Sequence, residues 1–269
     1  MPPSLEALTQ VALEVASAAG ELVRQGWRGR LEVTKKGRTD LVTQVDLASE
    51  HLIRQLLTER TPEIPIVGEE TGGERRGGLQ WFADPIDGTT NFAHGHPHWS
   101  VSVGLMEDGW PVAGAVVAPV YGLSWTGWRG GPALRNGAPS RVSEVADIGE
   151  AFVGTGFPYG NRDVEPDNNF ASFVRVKHVV QAVRRCGSAA LDCCFVAEGT
   201  YDGYWERSIN SWDVAAGVAI ALAAGGRVTT IDGTPANVHE GNLLVSNGLV
   251  HDDLVRLILG ENTDQFARR

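Results

Sequence analysis

Long apolar runs are missing from this 269-residue sequence, and none approaches the ~20 residues that a membrane-spanning helix needs. Residues 1–30 also lack a basic start followed by an apolar block and a cleavage site, which is the pattern of an export signal. Internal repeats and low-complexity linkers are absent as well. We therefore expect an ordinary globular protein of the cytoplasm with no membrane partner.

Positive charge is scarce in the chain. Lys and Arg together number 23 against 33 Asp and Glu, which gives a formal net charge of −10. No stripe of basic residues is available to release counterions from a phosphate backbone, so nucleic acid is not an expected partner. Much of the acidity can serve cations instead.

Cysteine is also scarce. Cys186, Cys193 and Cys194 are odd in number, lie in one segment of small residues and have no zinc-ligand spacing, which fits a reduced, cytoplasmic setting. The three histidines of residues 94–98 alternate as they would along a strand and suggest zinc. Pro97 and the apolar alternation that follows favour histidines at the edge of a loop.

The apolar pattern predicts two halves, residues 1–148 and 149–269. In the first half, helical spacing behind the N-cap candidate Ser4 predicts one helix, and a second helix is expected from Asp46 to just before Pro62. Alternating apolar residues then predict an antiparallel meander. Its strands are expected at 64–67, 79–84, 99–105, 111–118, 123–128 and 132–135.

Strands and helices alternate in the second half. We expect strands at 151–155, 179–185, 203–206, 227–231 and 242–246, and helices at 166–177, 188–198, 212–224 and 250–259. The predicted class is α+β or α/β, with an antiparallel N-terminal sheet half and a mixed α/β C-terminal half.

A proline separates two carboxylates that stand three residues apart in the segment Asp84-Pro85-Ile86-Asp87. Pro85 fixes its own φ and favours extended geometry at Asp84, so both carboxylates and the Ile86 carbonyl can point into one pocket of hard oxygen ligands. An Asp-Pro turn with Asx hydrogen bonds is the structural alternative. The other acidic segments favour Mg²⁺, which takes several such oxygens.

The next residues suit an anion. Gly88 permits close approach of the backbone to a bound group, and the amides of Gly88, Thr89 and Thr90 can face a phosphate. Carboxylates followed by such amides can hold metal and phosphate together.

A third carboxylate lies far downstream at Trp212-Asp213. Asp213 opens a helix, where free amides stabilise an Asp whatever the function. The helix consists almost entirely of small and apolar residues, so it must be buried, and a carboxylate at its buried end needs a partner. A metal shared with Asp84 and Asp87 is the expected partner.

The segments that begin at Asp84 and at Trp212 resemble the motifs of the inositol monophosphatase family, a family of metal-dependent, lithium-sensitive phosphomonoesterases. Gly68-Glu69-Glu70 and the segment 40–46 stand in the family's order and at similar separations, so the resemblance covers nearly the whole chain. It implies a layered αβαβα sandwich with the site between the halves, two or three Mg²⁺ ions and a homodimer. The first half would carry most metal ligands and the second Asp213 and the substrate-side residues.

The resemblance also implies roles in metal binding. Asp84 would bridge two ions, the Ile86 carbonyl would ligate the first and Asp87 the second. Glu69 would ligate the first ion and help position the attacking water, with Glu70 in reserve because a one-residue slip would exchange them. The implied metal ligands are Glu69, Asp84, Ile86, Asp87 and Asp213.

Asp46 has two interpretations. On local grounds it is an N-cap, whereas the family pairs it with Thr89, whose hydroxyl is polarised to help deprotonate water. The implied catalytic residues are then Glu69, Thr89 and Asp46.

For the substrate, the family places the alcohol against Gly187-Ser188-Ala189 and Glu206. Arg184 lies near this rim or in an ordinary surface ion pair. The substrate-binding residues expected by resemblance are Asp87, Gly88, Thr89, Gly187, Ser188, Ala189, Glu206 and Asp213.

The expected activity is Mg²⁺-dependent hydrolysis of a small polyol or sugar phosphomonoester by direct attack of a metal-activated water. Inositol 1-phosphate is favoured because Glu206 can accept hydrogen bonds from ring hydroxyls. The ammonium of histidinol phosphate could pair with the same carboxylate, and fructose 1,6-bisphosphate would need a basic pocket that the sequence does not locate. A protein of another class, regulatory with vestigial or secondary phosphatase activity, is the other alternative.

Overall fold

Helices and sheets alternate in layers through the computed structural model, which describes residues 3–29, 33–35, 41–158 and 168–261. The helices are α1 (Leu5–Gly26), α2 (Gln44–Arg60), α3 (Thr89–Ala93), α4 (Phe170–Lys177), α5 (Ala189–Ala197), α6 (Ser211–Ala223) and α7 (His251–Leu259), with a 3₁₀ turn at Ile148–Glu150. The strands are β1 (Val33–Lys35), β2 (Leu41–Thr43), β3 (Ile66–Gly68), β4 (Leu79–Asp87), β5 (Ser100–Glu107), β6 (Trp110–Ala118), β7 (Leu123–Trp128), β8 (Ala133–Arg135), β9 (Ala138–Ser140), β10 (Phe152–Thr155), β11 (Ala182–Arg184), β12 (Gly203–Glu206), β13 (Arg227–Thr229) and β14 (Leu243–Ser246).

Two larger sheets follow one another along the chain. The first has the order β3-β4-β5-β6-β7-β8-β9 and is antiparallel except where β3 pairs with β4. The second has the order β11-β10-β12-β14-β13, with β10 parallel to both neighbours and β14 antiparallel to both of its own. The predicted meander and the mixed second half are therefore present, while β1 and β2 form a separate ribbon.

The chain folds into five layers that are held together by three buried clusters, of which the middle one packs on both sides of the central helices. α1 and α2 cover one face of the seven-stranded sheet, α5 and α6 fill the space between the two sheets, and α4 and α7 cover the outer face of the second sheet. The expected αβαβα sandwich is confirmed. The middle cluster takes residues from both sheets, so the domain boundary at residue 148 stays a prediction.

The two N-terminal helices show how capping sets boundaries. Ser4 caps α1 as expected, accepting from the Ala7 amide at 3.2 Å. The expectation that Asp46 begins α2 was wrong, because Thr43 is the N-cap and Asp46 is the third helical residue. Both residue types cap well, and the pair forms a capping box in which Asp46 accepts from the Thr43 amide at 2.8 Å.

Other boundaries differ by a few residues. The helix expected from 166 is described from Phe170, with 166 and 167 outside the described residues, and the strand expected over 179–185 is reduced to β11. Asp40, part of the first family-like segment, also lies outside them. The sequence pattern did not predict β1, β2, β9 or α3. Among the residues described, no helix combines the length and apolarity needed to cross a membrane.

A row of glycines lets α6 approach the seven-stranded sheet. Gly104 pairs with Gly114, and Gly114 with Gly127, so the three lie side by side on neighbouring strands. A Cβ at Gly104 would lie 2.5 Å from the Ala216 nitrogen, and one at Gly114 2.5 Å from the Ala216 Cα. At Gly127 it would lie 2.8 Å from the Ile220 Cα. The helix backbone therefore occupies the space that larger residues would fill.

Gly114→Ala is expected to lower the free energy of unfolding by about 1–3 kcal/mol, because the added methyl meets helix backbone that cannot rotate away. Denaturant unfolding measures this loss. Gly77→Ala is the matched control, since its Cβ would meet only Asp108 Oδ1 at 3.4 Å. Equal stability of the two variants would show that α6 moves without penalty.

Candidate active site

A cleft opens where β4, α3, α5, β12 and α6 approach one another between the two sheets. Its lining is mostly polar and comes from both halves of the chain. The lining residues are Glu69, Asp84, Ile86, Asp87, Gly88, Thr89, Thr90, Gly156, Arg185, Gly187, Ser188, Ala189, Glu206, Ile209 and Asp213. Every predicted site residue except Asp46 therefore lies on one cleft, whereas Asp46 reaches it through Thr89.

A β-bulge aims two carboxylates the same way. Residues three apart on a regular strand point to opposite faces. Here the β4–β5 register shifts between Asp84, opposite Ser102, and Asp87, opposite Ser100, so one extra residue is inserted. The bulge spans Pro85 and Ile86, and Pro85 has no amide to give to the ladder. Both carboxylates consequently face the cleft, and Asp84 Oδ1 also accepts the expected Asx hydrogen bond from the Ile86 amide at 3.0 Å.

The start of α5 holds Asp87. Its carboxylate accepts from the Ser188 hydroxyl and from the amides of Ala189 (3.2 Å) and Ala190 (2.8 Å), with Ser100 Oγ at 3.4 Å. These donors favour the ionised form, but burial outweighs them and raises the pKa of Asp87 to about 6. The segment expected to meet the substrate alcohol thus also fixes a metal-ligand candidate.

The acidic side chains in the cleft oppose one another's ionisation. Burial raises the pKa of Asp84 well above its ordinary value, and the charges of Glu69, Asp87 and Asp213 raise it further. Burial likewise raises the pKa of Asp213, followed by the charges of Glu69 and Asp87. A cluster that disfavours its own charge is relieved by a cation. Its carboxylate and carbonyl oxygens are the donors that Mg²⁺ prefers, so this donor set fits the implied metal.

Asp213 is the third residue of α6, behind the N-cap Asn210. Its Oδ2 accepts from the Asn210 amide at 2.8 Å, completing a capping box. Asp213 therefore both stabilises the start of the helix and lines the cleft. One carboxylate oxygen can cap the helix while the side chain lines the cleft.

A buried glutamate that the sequence analysis missed distinguishes Glu69 from Glu70. Glu69 lines the cleft, whereas the Glu70 amide donates to Glu50 Oε2 at 2.6 Å. Glu50 is fully buried and also accepts from the Thr71 amide (3.1 Å) and from Arg54 Nε (2.9 Å). It anchors the loop that presents Glu69. The i,i+4 spacing of Glu50 and Arg54 was readable in the sequence, but the burial of Glu50 was not.

Asp46 and Thr89 lie together. Thr89 Oγ1 is 3.0 Å from Asp46 Oδ1 and 3.0 Å from the Ile86 carbonyl oxygen, so its single proton has two possible acceptors. The other Asp46 oxygen accepts from Thr43 in the capping box. Burial raises the pKa of Asp46, and these donors partly offset the effect. Asp46 is therefore not the N-cap, but as the capping-box partner of Thr43 it can also contact Thr89.

Gly88 needs to be glycine on two grounds. Its φ is +99°, in the left-handed region, and a Cβ would lie 3.0 Å from the His98 carbonyl oxygen and 3.1 Å from that of Gly187. Helix α3 begins at the next residue, so the amides of its first turn have no partner within the helix.

Glu206 lines the same cleft as the acidic cluster. The Tyr204 hydroxyl donates to it, and burial raises its pKa to about 7, although the Arg185 charge acts in the opposite direction. Gly156 packs so tightly on the Glu206 carboxylate that a Cβ there would overlap it. Both arginines of the pair are exposed, but only Arg185 lines the cleft. The guanidinium carbon of Arg184 lies 4.7 Å from the centre of the Phe152 ring.

The chain resembles known proteins over nearly its whole length. The profile of the inositol monophosphatase family matches residues 4–262. An inositol-1-monophosphatase of Synechocystis sp. is 39% identical over 256 residues, covering 94% of this chain and 89% of that protein. The solved structure of an inositol monophosphatase from Anabaena (Nostoc) sp. has a TM-score of 0.88 and 38% identity, covering 96% of this chain and 98% of that one.

A relative under another name matches equally completely. The Nus factor SuhB of Pasteurella multocida is 33% identical over 268 residues, covering 97% of this chain and 99% of that protein. Together, the fold, the cleft and these matches define a phosphoric monoester hydrolase. More narrowly, the chain belongs to the inositol monophosphatase family, whose members are metal-dependent.

Asp213→Asn is expected to raise the Tm of the metal-free protein and to remove most of the Tm increase that Mg²⁺ gives the wild type. The amide keeps the acceptor for Asn210 but removes one of the mutually repelling charges. The raised carboxyl pKa values make the folded state bind protons more tightly than the unfolded state, whose Asp pKa is about 3.9. Wild-type stability without metal should therefore fall as the pH rises from about 4 through the folded pKa of Asp87, about 6.

Differential scanning fluorimetry over this pH range, with and without Mg²⁺, measures both effects. Asp252→Asn is the control, because Asp252 is an exposed carboxylate in a surface pair with Arg227. An Asp213→Asn variant that follows the wild type in both conditions would remove Asp213 from the ligand set.

Proposed function

We propose that the protein hydrolyses the phosphomonoester of a small polyol or sugar, with inositol 1-phosphate as the favoured substrate. The observation that carries this proposal is the convergence of Glu69, Asp84, Asp87 and Asp213 on one cleft that Glu206 also lines. Such a cleft offers both cation ligands and an acceptor for hydroxyl groups.

Mg²⁺ is the proposed cofactor, with two or three ions. The residues that would hold it are Glu69, Asp84, the carbonyl of Ile86, Asp87 and Asp213. When bound, the ions would neutralise the phosphate, acidify the attacking water and stabilise the departing oxygen. The electrostatics of the metal-free cluster support this assignment, because burial and then the charges of its own members raise the pKa values of Asp84 and Asp213.

Thr89 and Asp46 are the proposed route for the proton of the attacking water. Thr89 Oγ1 can donate to Asp46 Oδ1, which leaves its lone pairs free to accept from a water in the cleft. Asp46 is buried and fixed by Thr43, so it orients the hydroxyl without entering the cleft. Glu69 would position the same water, because the loop anchored by Glu50 presents it there.

The proposed phosphate contacts are backbone amides. The left-handed conformation of Gly88 turns the chain into α3, and Gly88, Thr89 and Thr90 all line the cleft. Amides fixed in place before the reaction stabilise developing negative charge without reorganising.

Glu206 is the proposed contact for the alcohol. With a pKa of about 7 and a hydrogen bond from Tyr204, it can accept a hydrogen bond from a ring hydroxyl or, when protonated, donate one. Gly187 would form the neighbouring wall. Ser188 and Ala189 would act on the substrate chiefly through Asp87, because their donors already bind its carboxylate.

The alternatives place different chemistry on Glu206. The ammonium of histidinol phosphate would pair with its charge, whereas a second phosphate in fructose 1,6-bisphosphate would meet that charge and have Arg185 as its cation in the cleft. The Nus factor name of the Pasteurella multocida relative suggests a regulatory protein, but the acidic cluster favours catalysis. We further propose a cytoplasmic homodimer, which sedimentation velocity would test for its dimeric state.

Phosphate release from a panel of phosphomonoesters is expected to require added Mg²⁺ and to give the highest kcat/KM for inositol 1-phosphate. Glu206→Gln should lower kcat/KM for this substrate more than for an aryl phosphate, because it changes only the alcohol side. Glu240→Gln, at an exposed glutamate, is the control. A higher kcat/KM for histidinol phosphate or fructose 1,6-bisphosphate would reassign the substrate, and no release from any ester would refute the proposed activity.

Thr89→Ala is expected to lower kcat by roughly 10² to 10⁴, the effect of losing a positioned proton-transfer group, while Mg²⁺ still binds. Thr89→Ser should retain most activity. Asp46→Asn should match Thr89→Ala, and the double variant should be little worse than either because the two act as one unit.

Thr43→Ala separates capping from catalysis, because it removes the hydroxyl that caps α2 but keeps the Thr43 amide that donates to Asp46 and does not touch Thr89. It should lower the Tm and leave kcat nearly unchanged. Multiplicative losses in the cycle, or an Asp46→Asn variant that behaves like Thr43→Ala, would confine Asp46 to its helix cap.

A further inference from the structure

A second group of metal-ligating side chains lies outside the acidic cleft. One ring nitrogen of His98, the Cys186 Sγ and one carboxylate oxygen of Asp192 all lie within 4.8 Å of one another. His98 precedes β5, Cys186 follows β11 and Asp192 lies on α5, so folding brings together residues that are far apart in the sequence. The proposed hydrolysis uses none of them.

Two of these side chains are buried with unused polar atoms. His98 is 5% exposed and Asp192 is 1% exposed. His98 Nδ1 faces the Tyr121 hydroxyl at 3.3 Å, but Nε2 has no hydrogen-bond partner within the described part of the chain, and neither has Asp192 Oδ1. Buried polar atoms in native proteins almost always have a partner, so unused atoms from two neighbouring side chains point to a missing one.

The protonation preferences of the group suit a cation. Burial lowers the pKa of His98 to about 4, so the imidazole is neutral, which is the form that ligates metals. Burial also raises the pKa values of Cys186 and Asp192, and the charge of Asp192 raises that of Cys186 further, while Tyr201, Arg184 and Arg185 partly oppose the effect on Cys186. The charges of Glu206 and Asp87 add to the effect on Asp192, while that of Arg185 opposes it. A divalent ion would balance one thiolate and one carboxylate.

We propose that His98, Cys186 and Asp192 form a binding site for a thiophilic divalent cation of the zinc type, separate from the Mg²⁺ ligands. Zn²⁺ is usually four-coordinate and binds thiolate, imidazole and carboxylate ligands, so three protein ligands leave one position for water. The Tyr201 hydroxyl, 3.8 Å from Cys186 Sγ, could take this fourth position in place of water. The thiolate makes the site selective against Mg²⁺, which prefers oxygen.

The position of the group gives the site a structural consequence. Cys186 stands two residues before Ser188, whose hydroxyl donates to Asp87. Asp192 lies on α5, and the amides in the first turn of this helix also donate to Asp87. An ion bound here would tie β5 and the chain after β11 to α5. It should therefore raise the Tm of the protein beyond the increase that Mg²⁺ gives.

Co²⁺ added to the metal-free full-length protein in excess Mg²⁺ tests the site. A thiolate ligand gives Co²⁺ a sulfur-to-metal charge-transfer band in the near ultraviolet, which the all-oxygen cleft cannot produce. We expect one equivalent of Co²⁺ to develop this band and Zn²⁺ to abolish it. Cys186→Ala should lose it, while Cys194→Ala, the matched control at a fully buried cysteine, and Asp213→Asn, which alters the cleft, should keep it.

A measurement on the wild type removes any dependence on variant folding. Cys193 and Cys194 are 0% exposed, so alkylation should report on the part-exposed Cys186. Zn²⁺ at saturating Mg²⁺ should slow it by at least tenfold. An unchanged alkylation rate, the absence of a charge-transfer band from the wild type, or a band that persists in Cys186→Ala would each overturn the proposal.

Discussion

The close packing of α6 on the seven-stranded sheet is the constraint on which the cleft depends. Gly104, Gly114 and Gly127 remove the side chains that would hold the helix away, and the small residues of α6 allow its backbone to fill that space. The helix therefore begins close above the end of β4. Asp213, in its first turn, lines the same cleft as Asp84, although the two lie in different halves of the chain.

Holding these carboxylates together opposes folding, and the surrounding hydrogen bonds reduce the penalty. Asp87 receives donors from α5, Asp213 closes a capping box, and Glu50 keeps the Glu69 loop in place. These contacts orient the acidic side chains but do not remove the cost of charging them, because burial and then the charges of their neighbours raise the pKa values of Asp84 and Asp213. The metal-free fold is therefore less stable than it would be without the acidic cluster, but its site is already arranged to bind cations.

Local signals in the sequence predicted most of the elements and part of the cleft, whereas the layered sandwich and the remaining cleft residues were expected from the resemblance to the family. Apolar periodicity marks the elements, and the Asp84 and Asp87 spacing around a proline marks hard-ligand chemistry. The failures depend on tertiary geometry. Thr43 and Asp46 are both good caps, so only the folded chain decides between them. The burial of Glu50 and the proximity of His98 to Cys186 arise only after the layers are assembled.

Helix α5 joins the two clusters of ionisable residues. Its first amides bind Asp87, and one turn later Asp192 faces His98 and Cys186. Burial raises the pKa of Asp192, and the charges of Glu206 and Asp87 raise it further, so the two clusters already interact electrostatically. A cation that neutralises Asp87 lowers the penalty for ionising Asp192, and a cation on Asp192 lowers it equally for Asp87, because such coupling is reciprocal. Occupation of either cluster should therefore favour ionisation of the other, even though their ligand chemistries select different metals.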